Sequence, residues 1–122
     1  MADGNIHWSE LMTNDVEAAK KFYGATAGWE FADMPMPNFT YTLCKVGDTP
    51  VAGIMPIASM GQEGVSPHWM TYVAVSDIDA VAGKVEASGG KVLAPPFDVP
   101  NVGRIAILAD HDGAVVGMMT PA

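Results

Sequence analysis

Three side chains in or near the two HW pairs of this sequence are of types that do chemistry. They are His7 and Glu10 in "IHWSELMT" and His68 in "PHWMTY". An imidazole can ligate a divalent cation or move a proton, and a carboxylate can do either. Both HW pairs open apolar runs rich in β-forming residues, which read as strands. Side chains alternate along a strand, so His7 and Glu10 point to opposite faces. A three-ligand metal site from these residues within one chain is therefore geometrically poor. A His7–His68 pair is the only seed for one, and two histidines that begin equivalent strands at a rim are the structural alternative. Residues 49–62 contain no Asp, Glu, His or Cys, and neither do residues 113–122.

Glu10 is the sharper candidate. A carboxylate in a half-buried apolar strand needs a partner, because leaving it unpaired is costly or raises its pKa. Arg104 is a candidate partner. A raised pKa would suit Glu10 to general acid or base catalysis. An ion pair that closes a pocket wall is the structural alternative. Cys44, the only cysteine, lies in the apolar run "YTLCKV" and reads as a small packed residue rather than a nucleophile.

The elements that must position these residues come in two copies. "NDVEAAKKFYGATAGWEF" from Asn14 aligns with "SDIDAVAGKVEASGGKVL" from Ser76. "PNFTYTL" from Pro37 aligns with "PNVGRIAIL" from Pro100, and "AGIM" from Ala52 with "VGMM" from Val116. The offsets rise in order along the chain from 61 at the HW pairs to 64, as a duplication with small loop insertions would leave. Each copy begins with a strand. A helix follows, capped by Asn14 or Ser76 with an acid three residues on, Glu17 or Asp79. Val16, Ala19, Phe22 and Tyr23 line one side of the first helix; Ile78, Val81, Ala82 and Val85 line one side of the second. Gly28 ends the first, and Gly89 and Gly90 the second. Three short strands complete each copy, with hairpin chemistry in "VGDTP" and "DHDGA". The unit is β-α-β-β-β, used twice. Module one covers about 5–57, a linker 58–67 and module two about 68–120 of one domain, 1–122.

A sheet with its helix on one side leaves the other face bare. The expected architecture is α+β, with the bare faces of the two modules curling around a shared cleft that holds a ligand. The chain is acidic, with net charge −8 from 14 acids and 6 bases, and has no basic run; nucleic acid is not an expected partner. No apolar run approaches the roughly 20 residues that span a bilayer. "MADGNIHW" has no basic segment followed by an apolar stretch, so no signal peptide is expected there, and a cytoplasmic setting is expected.

The pattern resembles the vicinal oxygen chelate superfamily, which includes glyoxalase I, extradiol dioxygenases, and fosfomycin- and bleomycin-resistance proteins. The resemblance rests on "TNDVEAAKKFYGATAGWEF", "VSDIDAVAGKVEASGGKVL" and "ILADHDGAVVGM", the last similar to the family's DPDG hairpin with His111 in place of proline. It implies paired βαβββ modules forming a cup-shaped eight-stranded sheet or half-barrel with the helices outside. In metal-using members, four ligand positions lie on the first and last strands of each module. Here they fall on Trp8 and Met70 and near Gly53 and Gly117, none of which ligates a divalent cation. No metal and no cofactor are expected.

Alternation then fixes the expected lining. With Trp8 facing the cleft, Glu10 and Met12 do so too, joined by Met70 and Tyr72. Ile105 and Ile107 suit the helix-covered face, which sends Arg104, Ala106 and Leu108 to the cleft. Val115, Gly117 and Met119 join them, and either Tyr41 or Thr42 contributes. Such a lining, mostly apolar with a few polar groups, is that of a small-molecule pocket; a filled core is the structural alternative. Three functions follow. The chain binds a small organic molecule in a metal-free cleft, in the manner of bleomycin-resistance proteins. It is a cofactor-independent lyase or isomerase with Glu10 as acid or base. Or it is a divalent-metal enzyme of glyoxalase or dioxygenase type, against which the four empty ligand positions count. A homodimer is expected.

Overall fold

The computed structural model describes residues 3–60, 64–99 and 102–122. Residues 61–63 of the linker, and Pro100 and Asn101 at the start of "PNVGRIAIL", lie outside the described residues. The first module contains β1 (Ile6–Thr13), α1 (Val16–Thr26), β2 (Glu30–Pro35), β3 (Thr40–Val46) and β4 (Thr49–Pro56), followed by a 3-10 turn at Ile57–Met60. The second contains β5 (His68–Ala74), α2 (Ile78–Ala82), β6 (Lys91–Val99), β7 (Gly103–Ala109) and β8 (Val115–Pro121). The fold is α+β, and the doubled βαβββ order is the one legible in the sequence. None of the described helices is long and apolar enough to cross a membrane.

The chain divides into two compact units, Trp8–Trp69 and Met70–Ala122 with Met1–His7. The residues just before Trp8 join the second unit through backbone bonds, from Gly4 N to Ala74 O and from Ala74 N to Asn5 O, both 2.8 Å.

In the Trp8–Trp69 unit the strand order is β2-β3-β4-β1. Two antiparallel hairpins lead to a parallel β1–β4 pair, in which Glu10 lies opposite Gly53. Asp15, not Asn14, caps α1, because its carboxylate accepts from Ala18 N at 3.0 Å. Leu11, Ala19, Cys44, Ala52 and Ile54 form the core between helix and sheet, with Val16, Tyr23, Trp29 and Phe31 packed against it. Phe22, expected on that face, is exposed and meets only the edge of Tyr23 among the ring contacts. Cys44 is fully buried, as its apolar run indicated, and burial pushes its thiol up to about 11.

The Met70–Ala122 unit repeats the plan with the order β5-β8-β7-β6. The parallel pair is β5–β8, with Tyr72 opposite Gly117. Asp77, not Ser76, caps α2 by accepting from Ala80 N. The expected second helix is cut short at Ala82, and a run of turns continues to Gly89. Gly83 follows the last helical residue, and an interior glycine costs a helix about 1 kcal/mol. Val75, Ile78, Ala106 and Leu108 form the core here, with Val81, Val85, Val92, Val116 and Met118 against it.

Candidate binding site

Packing against α1 decides which way β1 faces. Leu11 is buried in the helix-side core, so Trp8, Glu10 and Met12 point to the sheet's other face. On β3 the same rule separates neighbours. Cys44 packs under the helix, and Thr42 shares its side, fully buried, its hydroxyl donating to Asp33 at 2.9 Å. Tyr41 therefore joins Glu10. The pair left open by the sequence was decidable from Cys44, because a packed cysteine two residues on fixes the parity of Thr42.

These side chains form a relay. Trp8 Nε1 donates to Tyr41 Oη at 2.9 Å. Tyr41 Oη donates to Glu10 Oε2 at 2.7 Å. Glu10 is only 7% exposed, on a face whose other members are mainly apolar and where Met12 is equally enclosed. A hydroxyl that accepts from one side and donates to the other has its rotor fixed, so the carboxylate is held in one orientation.

The β4 residue opposite Glu10 is Gly53, and the Tyr41 ring lies across it. A Cβ built on Gly53 would collide with Tyr41 Oη, Cζ and Cε2. The other unit shows the same device. A Cβ on Gly117 would collide with Tyr72 Cδ1 and Cε1, with Cγ at 3.2 Å. Tyr72 is buried, as are Met70 and Met119. Register places Ile105 opposite Met119 and Ile107 opposite Gly117, so these isoleucines share the Tyr72 face. Val115 stands at the start of β8, half exposed.

Arg104 and Leu108 are corrections. The expected parity of β7 is reversed. Ala106 and Leu108 pack under α2 while Ile105 and Ile107 face away from it. Two bonds from Arg104 to Asp79 of α2 mark the helix side of β7, and alternation places Ala106 and Leu108 on that side with it. Arg104 follows the same face. Its Nε and Nη2 donate to the two Asp79 oxygens at 2.9 and 3.0 Å, and Nη1 donates to Asp98 at 3.2 Å. These two carboxylates hold the guanidinium pKa well above its usual value, and Arg104 holds Asp79 below the usual carboxylate range. Arg104 thus ties α2 to the β6–β7 hairpin, and Tyr41 takes the place expected for it beside Glu10.

Two cavities lie on the helix-covered faces. One of about 390 Å³ is bordered by Val16, Lys20, Asp33, Phe39 and Thr42. Lys20 bridges Glu17 at 3.1 Å and Asp33 at 2.9 Å. The other, of about 360 Å³, has a floor of Val81, Val85, Leu108, Val116 and Met118, with Lys84 and His111 on its border. Neither is lined by Trp8, Glu10 or Tyr41. An aromatic group missed by the sequence reading also lies in the first unit. Tyr23 stacks on Trp29 with centroids 5.4 Å apart, and Trp69 Nε1 donates to Tyr23 Oη at 3.2 Å. The spacing of Tyr23 on the helical stripe was its one signal.

Do these residues fit the divalent ion used by some proteins of the resembling superfamily? They do not. At the four positions in question stand an indole, a thioether and two glycines, and tyrosine rings lie over both glycines. Among the described residues, no three His, Cys, Asp or Glu side chains come together as a group that could hold an ion.

Comparison with known proteins gives a consistent picture. A family model described as "Glyoxalase/Bleomycin resistance protein/Dioxygenase superfamily" matches residues 5–118. A Mycobacterium bovis protein whose name, CFP32, carries the word glyoxylase is 41% identical over 117 residues, which are 94% of this chain and 45% of that protein. The "Anthracycline biosynthesis protein DnrV" of Streptomyces peucetius is 40% identical over 111 residues, 91% of this chain and 39% of that one. The chain spans less than half the length of these two curated relatives. Among solved structures, methylmalonyl-CoA epimerase from Mycobacterium tuberculosis superposes with a TM-score of 0.65 at 16% identity, covering 98% of this chain and 88% of that one. At that identity the likeness is one of fold.

Proposed function

Because the chain belongs to the glyoxalase/bleomycin resistance protein/dioxygenase superfamily, we propose that it binds a small organic molecule without a metal ion, on the face that carries Trp8, Glu10 and Tyr41. One observation carries this reading. A buried carboxylate is fixed by Tyr41 at 2.7 Å, Tyr41 by Trp8 at 2.9 Å, and the strand position opposite the carboxylate is a glycine. An aromatic and apolar surface with one oriented polar group is the make-up of a small-molecule site. The relatives' names support an organic ligand, one carrying the word glyoxylase and another anthracycline biosynthesis.

A second reading is favoured by the fixed aim of Glu10. A carboxylate held in one orientation is suited to taking or giving a proton, as in a cofactor-independent lyase or isomerase. Metal-dependent glyoxalase or dioxygenase chemistry is disfavoured by the donor set. The reading includes a cytoplasmic setting and a homodimer. Relatives more than twice as long have room for two such domains in one chain, and two copies of this chain would supply the same.

A ligand-observed NMR screen of small aromatic acids, amines and ketones, against protein treated with a chelator, tests this. Binding that weakens at least tenfold in both Trp8→Ala and Glu10→Gln supports the site. Binding that requires added zinc, or that neither substitution changes, refutes it.

A further inference from the structure

Two glycines of no unusual backbone conformation sit at equivalent places in the two units, Gly53 on β4 and Gly117 on β8. Each faces the first strand of its unit, Gly53 opposite Glu10 and Gly117 opposite Tyr72. Neither turns a corner, and neither has a positive φ. A glycine inside a strand weakens it, through backbone entropy and the lost side chain, unless something needs the space above it. Here the space is taken. The ring that would meet a Cβ is Tyr41 in one unit and Tyr72 in the other. The tyrosines come from different strands, β3 and β5, so the two units reach one packing solution by different routes.

We infer that in each unit a tyrosine ring seated on a last-strand glycine excludes a divalent cation by volume, so that a carboxylate at the glycine position alone cannot restore metal binding. The inference rests on the metal-free part of the proposed reading and adds its physical cause. A longer side chain at either glycine would have to displace the ring that lies over it. In the first unit the seat also has a use. The ring held on Gly53 is the one whose hydroxyl meets both Trp8 and Glu10. Gly53 therefore sets the height of Tyr41 above the sheet, and Tyr41 sets the orientation of Glu10. Tyr41 is a positioning residue in this arrangement, and Gly53 positions it in turn.

The test is a pair of cycles on the full chain. In the first, Gly53→Ala is made alone and together with Tyr41→Ala, and thermal midpoints are compared. The single change should lower the midpoint by several degrees, and the same change in the Tyr41→Ala background should add little. Equal drops in both backgrounds overturn the interlock. In the second, zinc and nickel alone are titrated into wild type, Gly53→Glu, and Gly53→Glu with Tyr41→Ala. Retention should stay at background in the first two and rise at least tenfold in the third, where a new carboxylate faces Glu10 with the ring gone. Stoichiometric ion on wild type, or equal uptake with and without the ring, overturns the exclusion. No organic ligand enters either cycle, so failure of the small-molecule reading leaves both results readable.

Discussion

The hydroxyl of Tyr41 donates to a carboxylate oxygen of Glu10 at 2.7 Å while accepting from the indole of Trp8 at 2.9 Å. Three side chains from two strands that are not neighbours in their unit, β1 and β3, are joined by one oxygen atom. Tyr41→Phe keeps the ring and its seat on Gly53 but removes that oxygen. Both neighbours then lose a bond on an enclosed face, and a lost bond of this kind costs about 1–3 kcal/mol. Urea unfolding of the variant should show a lowered midpoint with an unchanged slope. A midpoint within error of wild type would mean that water or another group replaces the hydroxyl.

Glu10→Gln preserves size and an acceptor oxygen for Tyr41, and removes the negative charge. If the site transfers protons, turnover should fall by about 100-fold or more, the usual contribution of a positioned acid or base. Unchanged turnover on any substrate found would remove Glu10 from proton transfer. The fold should survive, which the near-ultraviolet dichroism spectrum checks.

Cys44 has no exposure and a thiol pushed up to about 11 by burial. Little thiolate therefore exists near neutral pH. A disulfide reagent at pH 8 should label the native protein far more slowly than the protein in 6 M guanidinium chloride. Rapid labelling of native protein would contradict its packing with Ala52 and Ile54 in the helix-side core.

The acid limb of stability should report Asp33 and Asp79. Lys20 and Thr42 hold the Asp33 carboxyl below its ordinary value of 3.8, and Arg104 does so for Asp79. A carboxyl with a depressed folded pKa contributes stability that is present above its unfolded value. That contribution is lost as pH falls through the folded value. Thermal midpoints should therefore drop as pH falls below about 4, and the drop should be shallower in Asp33→Asn and Asp79→Asn. Both carboxylates are well exposed, at 50% and 58% of the side chain, so each contribution is small and shrinks in salt.

Ile54 is fully buried in the first core, between the strand and α1. Ile54→Ala removes three carbons from a packed site and should cost about 2–5 kcal/mol by denaturant titration. A much smaller loss would mean that α1 can settle into the space.

The amino-acid sequence alone carries the doubled βαβββ order, because a duplicated hydrophobic pattern survives in it and each copy has its own cap, helix stripe and hairpin turns. It determined that Cys44 is packed and that Trp8, Glu10 and Met12 share a face, because strand alternation needs only one anchored residue. The extent of α2 was legible only in hindsight, since Gly83 competes with an otherwise helical stripe. Two matters were decided by tertiary structure alone. The parity of β7 goes with the pairing of Arg104 to Asp79 of α2, which puts Ala106 and Leu108 under the helix and two isoleucines away from it, and apolar area cannot forecast that. The partner of Glu10 followed from a tyrosine 31 positions away in sequence, brought across Gly53 by register. Spacing along a chain carries no information about which side chain will lie above a glycine on a neighbouring strand.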